Sequence, residues 1–214
     1  MSQIFLFGAS SVYGIGGEDG GWGDLTKRAL HAQMFGDGGA GESHELYNFG
    51  KPGATTEFVL NNFEAQLQQY ARTKNLIAVV SVGTNNARAQ DSPNNYVSTL
   101  ADYETAMRKL LVALTSKIPH VICVGYRPVD ESKTTPKSDP ITGGTAYFMN
   151  NRIQEFNKSF SAISKETGAT FIGLDVPPET WIAEYVYKDG LHPNKRGHQL
   201  IFEKVWPEIE KLLV

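Results

Sequence analysis

The stretch Ile4-Phe5-Leu6-Phe7-Gly8-Ala9-Ser10-Ser11-Val12-Tyr13-Gly14 decides how the rest of the chain is read. Four apolar residues run without a polar break, end at a glycine and give way at once to small hydroxylated residues. A continuous apolar run bounded by turn residues is the pattern of a strand buried on both faces, as in a parallel sheet. Ligands of open α/β sheets bind outside the carboxyl ends of the strands, so Ser10 is expected at the chemically active rim. The serine pair alone says little more, because most serines at such turns only cap or bend the chain.

Working outward, similar runs occur at residues 44–49, 76–82, 121–126 and 170–174. Between most of them, apolar residues recur every three or four positions, the period of a helix with one buried face. The stripes are Val59, Phe63, Leu67 and Tyr70; Leu100, Tyr103, Met107, Leu110 and Leu114; Met149, Ile153, Phe156, Phe160 and Ile163; and Ile201, Val205, Ile209 and Leu212. Ser92-Pro93 suits the start of the second helix. Pro207 marks a kink or a restart in the last. Alternating strands and helices predict an α/β fold, a flavodoxin-like three-layer α/β/α sandwich with a five-stranded parallel sheet. The 214 residues contain no internal repeat and no linker, so a single domain over 1–214 is expected.

Composition narrows the function. Hydrophobic residues at 41% and charged residues at 20% fit a soluble domain with a substantial core. A net charge of -3 offers no basic footprint, so no nucleic-acid partner is expected. The single cysteine, Cys123, cannot form an intrachain disulfide, and its apolar neighbours predict burial. No segment has the length of a membrane span, and no basic leader precedes the first strand. As written the chain reads as cytoplasmic, with a leader removed upstream left open.

Two loops stand out. Residues 14–23 hold six glycines between the first strand and a helix containing Leu25 and Leu30. Their spacing is not a dinucleotide fingerprint, since Asp19 occupies a required glycine position, and no Gly-Lys-Ser/Thr follows. Residues 127–145 combine prolines, charges and Gly143-Gly144, and read equally as a lid or binding loop and as a surface decoration.

The candidate chemistry lies at four places. Near the C-terminus, Asp189-Gly190-Leu191-His192-Pro193 sets a carboxylate three residues before an imidazole, with a glycine to allow the turn. Such a pair orients a general base and stabilises its imidazolium, which a serine nucleophile needs. An isolated pair of this kind is more often a surface histidine beside a turn aspartate. His31, His44 and His120 lack a carboxylate at useful spacing, and packing or exposure suffices for His198. Asn48 to Thr56 contains Gly53, whose backbone N–H is open to close approach. Val82-Gly83-Thr84-Asn85-Asn86 ends a strand with a side-chain amide that can donate to an oxyanion. Each of these alone is also an ordinary turn.

Taken together, Gly8-Ala9-Ser10, Gly53, Gly83-Thr84-Asn85-Asn86 and Asp189 to His192 resemble the SGNH, or GDSL, hydrolase superfamily. The resemblance rests on order, strand-end placement and spacing, and Tyr13-Gly14, Trp22, Pro193 and Gly197 resemble its usual flanking residues. It implies a serine hydrolase with a catalytic triad of Ser10, His192 and Asp189. The oxyanion hole would comprise the N–H groups of Ser10 and Gly53 and the side chain of Asn85. It implies a small-molecule ester substrate and no metal or organic cofactor. Two residues depart from the pattern: Ala9 stands where the family has Asp, and Asn86 where Asp is usual. Neither change removes a reacting group.

The expected activity is hydrolysis of carboxylic esters, with short-chain acyl or acetyl groups favoured. Lysophospholipase or thioesterase activity is the alternative. Ala9 keeps a non-catalytic binding module open, whereas a flavin or nucleotide binder lacks a phosphate cradle. Trp181, Tyr185, Tyr187 and Tyr126 are read as core ahead of a substrate pocket. Oligomeric state is left open.

Overall fold

A computed structural model describes residues 1–139 and 143–214. In chain order the elements are β1 (Ser2–Gly8), α1 (Ser10–Tyr13), α2 (Trp22–Phe35), β2 (Glu45–Gly50), α3 (Thr56–Tyr70) and β3 (Asn75–Ser81). Next come α4 (Thr84–Ala87), β4 (Ala89–Gln90), α5 (Leu100–Thr115), β5 (His120–Val124), α6 (Glu131–Thr134), β6 (Lys137–Ser138) and β7 (Thr145–Tyr147). The chain finishes with α7 (Asn150–Glu166), β8 (Thr170–Ile172), α8 (Pro178–Glu184) and α9 (Lys195–Glu210).

The main sheet is wholly parallel, in the order β2-β1-β3-β5-β8. This is the flavodoxin-like three-layer arrangement expected from the apolar runs. Strand alternation splits each run between two cores. Phe5 and Phe7 of β1, with Ala78 and Val80 of β3, meet Val59 and Phe63 of α3, Tyr103 and Met107 of α5, and Phe156 and Phe160 of α7. On the opposite face Ile4, Leu6, Ile77 and Val79 meet Trp22 and Leu30 of α2, Trp181 of α8, and Ile201 and Val205 of α9. Cys123 is fully buried and burial pushes its thiol up to about 12, so it packs as an apolar side chain. Tyr126 and Trp181 are core residues as expected, and Tyr185 packs against the core.

Three local expectations are corrected. Ser92-Pro93 lies in a turn; α5 begins at Leu100, where the Thr99 hydroxyl accepts from the Asp102 N–H at 3.1 Å and donates to its carboxylate at 2.7 Å. That reciprocal cap is the stronger start signal. Pro207 does not restart the last helix, which runs unbroken from Lys195 to Glu210 with the proline inside it. The glycine-rich stretch is shorter than expected, because α2 already starts at Trp22.

A three-stranded antiparallel sheet, β4-β7-β6, had no counterpart in the sequence reading. It ties the 127–145 segment to the chain following β3, and the Arg88–Asp139 ion pair at 3.1 Å reinforces the join. This part of the segment is therefore built into the structure; residues 140–142 lie outside the described residues.

Candidate active site

The parallel sheet delivers the C-terminal ends of β1, β2, β3 and β5 to one rim. At Gly8 the chain leaves β1, and Ser10 opens the single-turn helix α1. The first N–H of a helix has no intrahelical acceptor, which leaves that of Ser10 for another partner. Asn48 at the end of β2 braces the turn, donating from Nδ2 to the Val12 carbonyl at 2.8 Å. The Lys51 N–H donates to the Gly8 carbonyl at 3.0 Å, which docks the following loop against the end of β1. Gly53 in that loop has φ +79°, a left-handed conformation that L side chains rarely adopt.

The 189–192 turn comes up from the other side. Asp189 Oδ1 accepts from the Leu191 and His192 N–H groups at 3.0 and 3.1 Å, and Oδ2 lies 2.5 Å from His192 Nδ1. His192 Nε2 is 2.8 Å from Ser10 Oγ. The hydrogen-bond chain from Ser10 through His192 to Asp189 is thus complete. Burial pushes the Asp189 carboxyl up, but the hydrogen bonds and charge of His192, with the two backbone donors, outweigh it and hold it at about 2. An ionised carboxylate on Nδ1 leaves Nε2 as the proton acceptor toward Ser10.

Asn85 and Gly53 complete the cluster. Asn85 is buried and donates from Nδ2 to the Ala54 carbonyl at 2.9 Å, which leaves one amide hydrogen uncommitted. Gly53, Asn85, Ser10 and His192 line one cavity of about 480 Å³, with Ile15, Pro52, Ala146, Phe148 and Leu191 as its apolar wall and Arg88, Lys137 and Asp139 at its charged side. The structure therefore brings together all five sequence-predicted site residues. Among the described residues no cluster of His, Cys, Asp or Glu has the arrangement of a metal site.

Asn86 has its own explanation. Its Oδ1 accepts from the Thr56 N–H at 2.9 Å and the Thr56 hydroxyl at 3.1 Å, while Nδ2 donates to Glu57 and to Ser98, each at 2.9 Å. Asparagine suits the place beside Glu57, since an aspartate would set two carboxylates together and lose both donors. Asn86→Asp is expected to destabilise the protein by about 2–3 kcal/mol. Urea unfolding measures it, and adding Glu57→Gln should recover part of the loss. An identical loss in both backgrounds would refute the charge account.

Two residues escaped the sequence reading. Lys137 Nζ donates to the Asp189 carbonyl at 2.7 Å and lies 3.8 Å from its Oδ2, bracing the turn from 52 residues away in sequence. His198 is the other. It is buried; its Nδ1 accepts from the Trp22 N–H at 3.1 Å and its Nε2 donates to the Ile15 carbonyl at 3.0 Å. The ring thus fastens both ends of the glycine-rich loop to α9. Gly16, at φ +91°, packs so closely that a Cβ would overlap the Pro193 carbonyl oxygen. The sequence offers only Gly197 beside His198 as a hint of this packing.

Burial lowers the His198 pKa to about 4; the charges of Arg127 and His192 add to this, and the Ile15 hydrogen bond opposes it. The folded value lies below the ordinary 6.5, so between pH 6.5 and 4 the unfolded chain binds one proton more than the native one. Stability is therefore full above pH 6.5 and falls by up to about 3 kcal/mol on approaching pH 4. Urea midpoints across this window should decline in the wild type and decline less in His198→Gln. Parallel declines would assign the acid sensitivity elsewhere.

A model of the GDSL-like lipase/acylhydrolase family matches residues 6–200. The chain belongs to this family. Among solved structures, a lipase/acylhydrolase from Enterococcus faecalis is 23% identical, with a TM-score of 0.73 over 100% of this chain and 98% of that one. The psychrotrophic esterase EstA from Pseudoalteromonas sp. is 20% identical, with a TM-score of 0.67 over 98% and 97%. The acetylxylan esterase Axe2 from Geobacillus stearothermophilus is 16% identical, with a TM-score of 0.67 over 97% and 93%. At these identities the likeness is one of fold. No curated protein sequence matches significantly. No helix among the described residues is long and apolar enough to cross a membrane.

Proposed function

We propose that residues 1–214 form one GDSL-family hydrolase domain that cleaves short-chain carboxylic esters through an acyl-enzyme on Ser10. The observation that carries this is the unbroken Ser10–His192–Asp189 hydrogen-bond chain opening onto the cavity that Gly53 and Asn85 line. A free hydroxyl is a weak nucleophile, and the His192 imidazole Nε2 2.8 Å away is positioned to take its proton as the carbonyl is attacked. Asp189, ionised, stabilises the imidazolium that results. The tetrahedral oxyanion is held by the N–H groups of Ser10 and Gly53 and the spare Asn85 amide hydrogen. His192 then returns its proton to the leaving alcohol, and activates the water that releases the acid.

Cavity size supports short acyl groups. The 480 Å³ must hold both halves of the ester, in the lower part of the usual range for ligand pockets. A panel of p-nitrophenyl esters from acetyl to decanoyl tests this: kcat/KM should be highest for acetyl to butyryl. A maximum at long chains would favour the lysophospholipase or thioesterase alternative. Labelling with an organophosphonate separates catalysis from ligand binding alone, since only an activated Ser10 takes up the phosphonyl group. EstA has been solved inhibited by monoethylphosphonate. Asn85→Ala should lower kcat by about 10²–10³-fold with little change in KM, as expected when one oxyanion donor is removed.

A further inference from the structure

A second, much smaller cavity of about 40 Å³ is lined by Ala9, Ser11, Ser81 and Arg127 and shares Ser10, Asn85 and His192 with the larger one. Two donors on its wall have no partner. Ser11 is only 9% exposed and its Oγ makes no hydrogen bond; Arg127 Nη1 is sealed from solvent and makes none either. The rest of Arg127 is partly exposed, and its guanidinium carbon lies 6.0 Å from the Trp181 ring centroid. Among the described residues no carboxylate pairs with this guanidinium, and no acidic residue lines the cavity. Burial lowers the Arg127 pKa to about 10, which still leaves it cationic at neutral pH.

Buried charges in folded proteins are paired, and buried donors are hydrogen-bonded. Water in the cavity would satisfy the donors but leave the sealed side of the guanidinium without a counter-charge. An anion does both. The volume equals about three water positions, enough for chloride or formate and too small for a phosphate or sulfate ester. At position 9 the family pattern has a carboxylate, and here Ala9 lines the same cavity. We propose that this cavity binds a small monovalent anion between Arg127 and Ser11, replacing the carboxylate that Ala9 lacks. The inference does not depend on ester hydrolysis.

Thermal unfolding of the full chain at fixed ionic strength tests it, with sodium chloride, formate or acetate exchanged against sodium sulfate, whose anion is too large. A saturable rise of about 3–6 °C is expected once the small anion reaches about ten times its dissociation constant. The rise should vanish in Arg127→Met. Ala9→Asp provides the second arm: it should melt higher than the wild type in sulfate and gain nothing from chloride or formate. Equal melting in all four salts would overturn the site, as would an undiminished chloride response in Ala9→Asp, which would place the anion elsewhere. Because the readout is melting temperature, failure here is distinguishable from failure of the esterase assignment.

Discussion

Ser10→Ala is expected to lower kcat for a short-chain p-nitrophenyl ester on the order of 10⁶-fold while the melting temperature changes little. The scale follows from what remains: without the nucleophile, only the oxyanion donors and binding contacts operate, and these sustain roughly 10³–10⁴-fold over water. The methyl group retained at Cβ keeps α1 and its contacts, so folding is not at issue. Phosphonate labelling should disappear with the activity. Ser11 is no substitute, because its Oγ makes no hydrogen bond, whereas Ser10 Oγ faces His192 Nε2 at 2.8 Å. Turnover in Ser10→Ala comparable to wild type would remove the nucleophile assignment, and with it the acyl-enzyme.

Asp189→Asn should cost about 10⁴-fold in kcat, and the geometry says why. Asp189 Oδ1 is committed to two backbone N–H donors, so the replacement amide must keep its oxygen there. Its NH₂ then points at His192 Nδ1, where a carboxylate oxygen stood 2.5 Å away. A donor facing Nδ1 forces the imidazole proton onto Nε2, the nitrogen that has to accept from Ser10. The base is present but in the wrong tautomer. KM should change little, since neither group binds substrate directly. An NMR measurement of the His192 ring nitrogens checks the tautomer independently of rate, and a loss of kcat with the proton still on Nδ1 would refute the argument.

The fold was legible because most main-sheet strands are apolar runs and α3, α5, α7 and α9 each carry a stripe, patterns local enough to survive in one dimension. The clustering of the candidate site residues was legible as an ordered set: Ser10, Gly53, Asn85 and the 189–192 turn each sit just past a strand or in a turn, and the parallel topology carries them to one rim. What stayed hidden depends on contacts without a local pattern. Strands β4, β6 and β7 are two or three residues long, too short for any period to show. Lys137 supports Asp189 from a distant segment, and Arg127 differs from any loop arginine only in what fails to surround it. Ser92-Pro93 misled because a plausible start signal was weighed without the reciprocal Thr99–Asp102 cap seven residues later.

Ile15 serves two masters. Its carbonyl is held by His198, and the residue lines the larger cavity. The outline of the groove is consequently fixed from behind, by a helix that contributes no side chain to it. A library directed at the α9 residues packed around His198 should therefore shift substrate-size preference while every group in contact with the ester stays unchanged. On the proposed ester hydrolysis, selectivity is expected to be tunable from the rear of the candidate site.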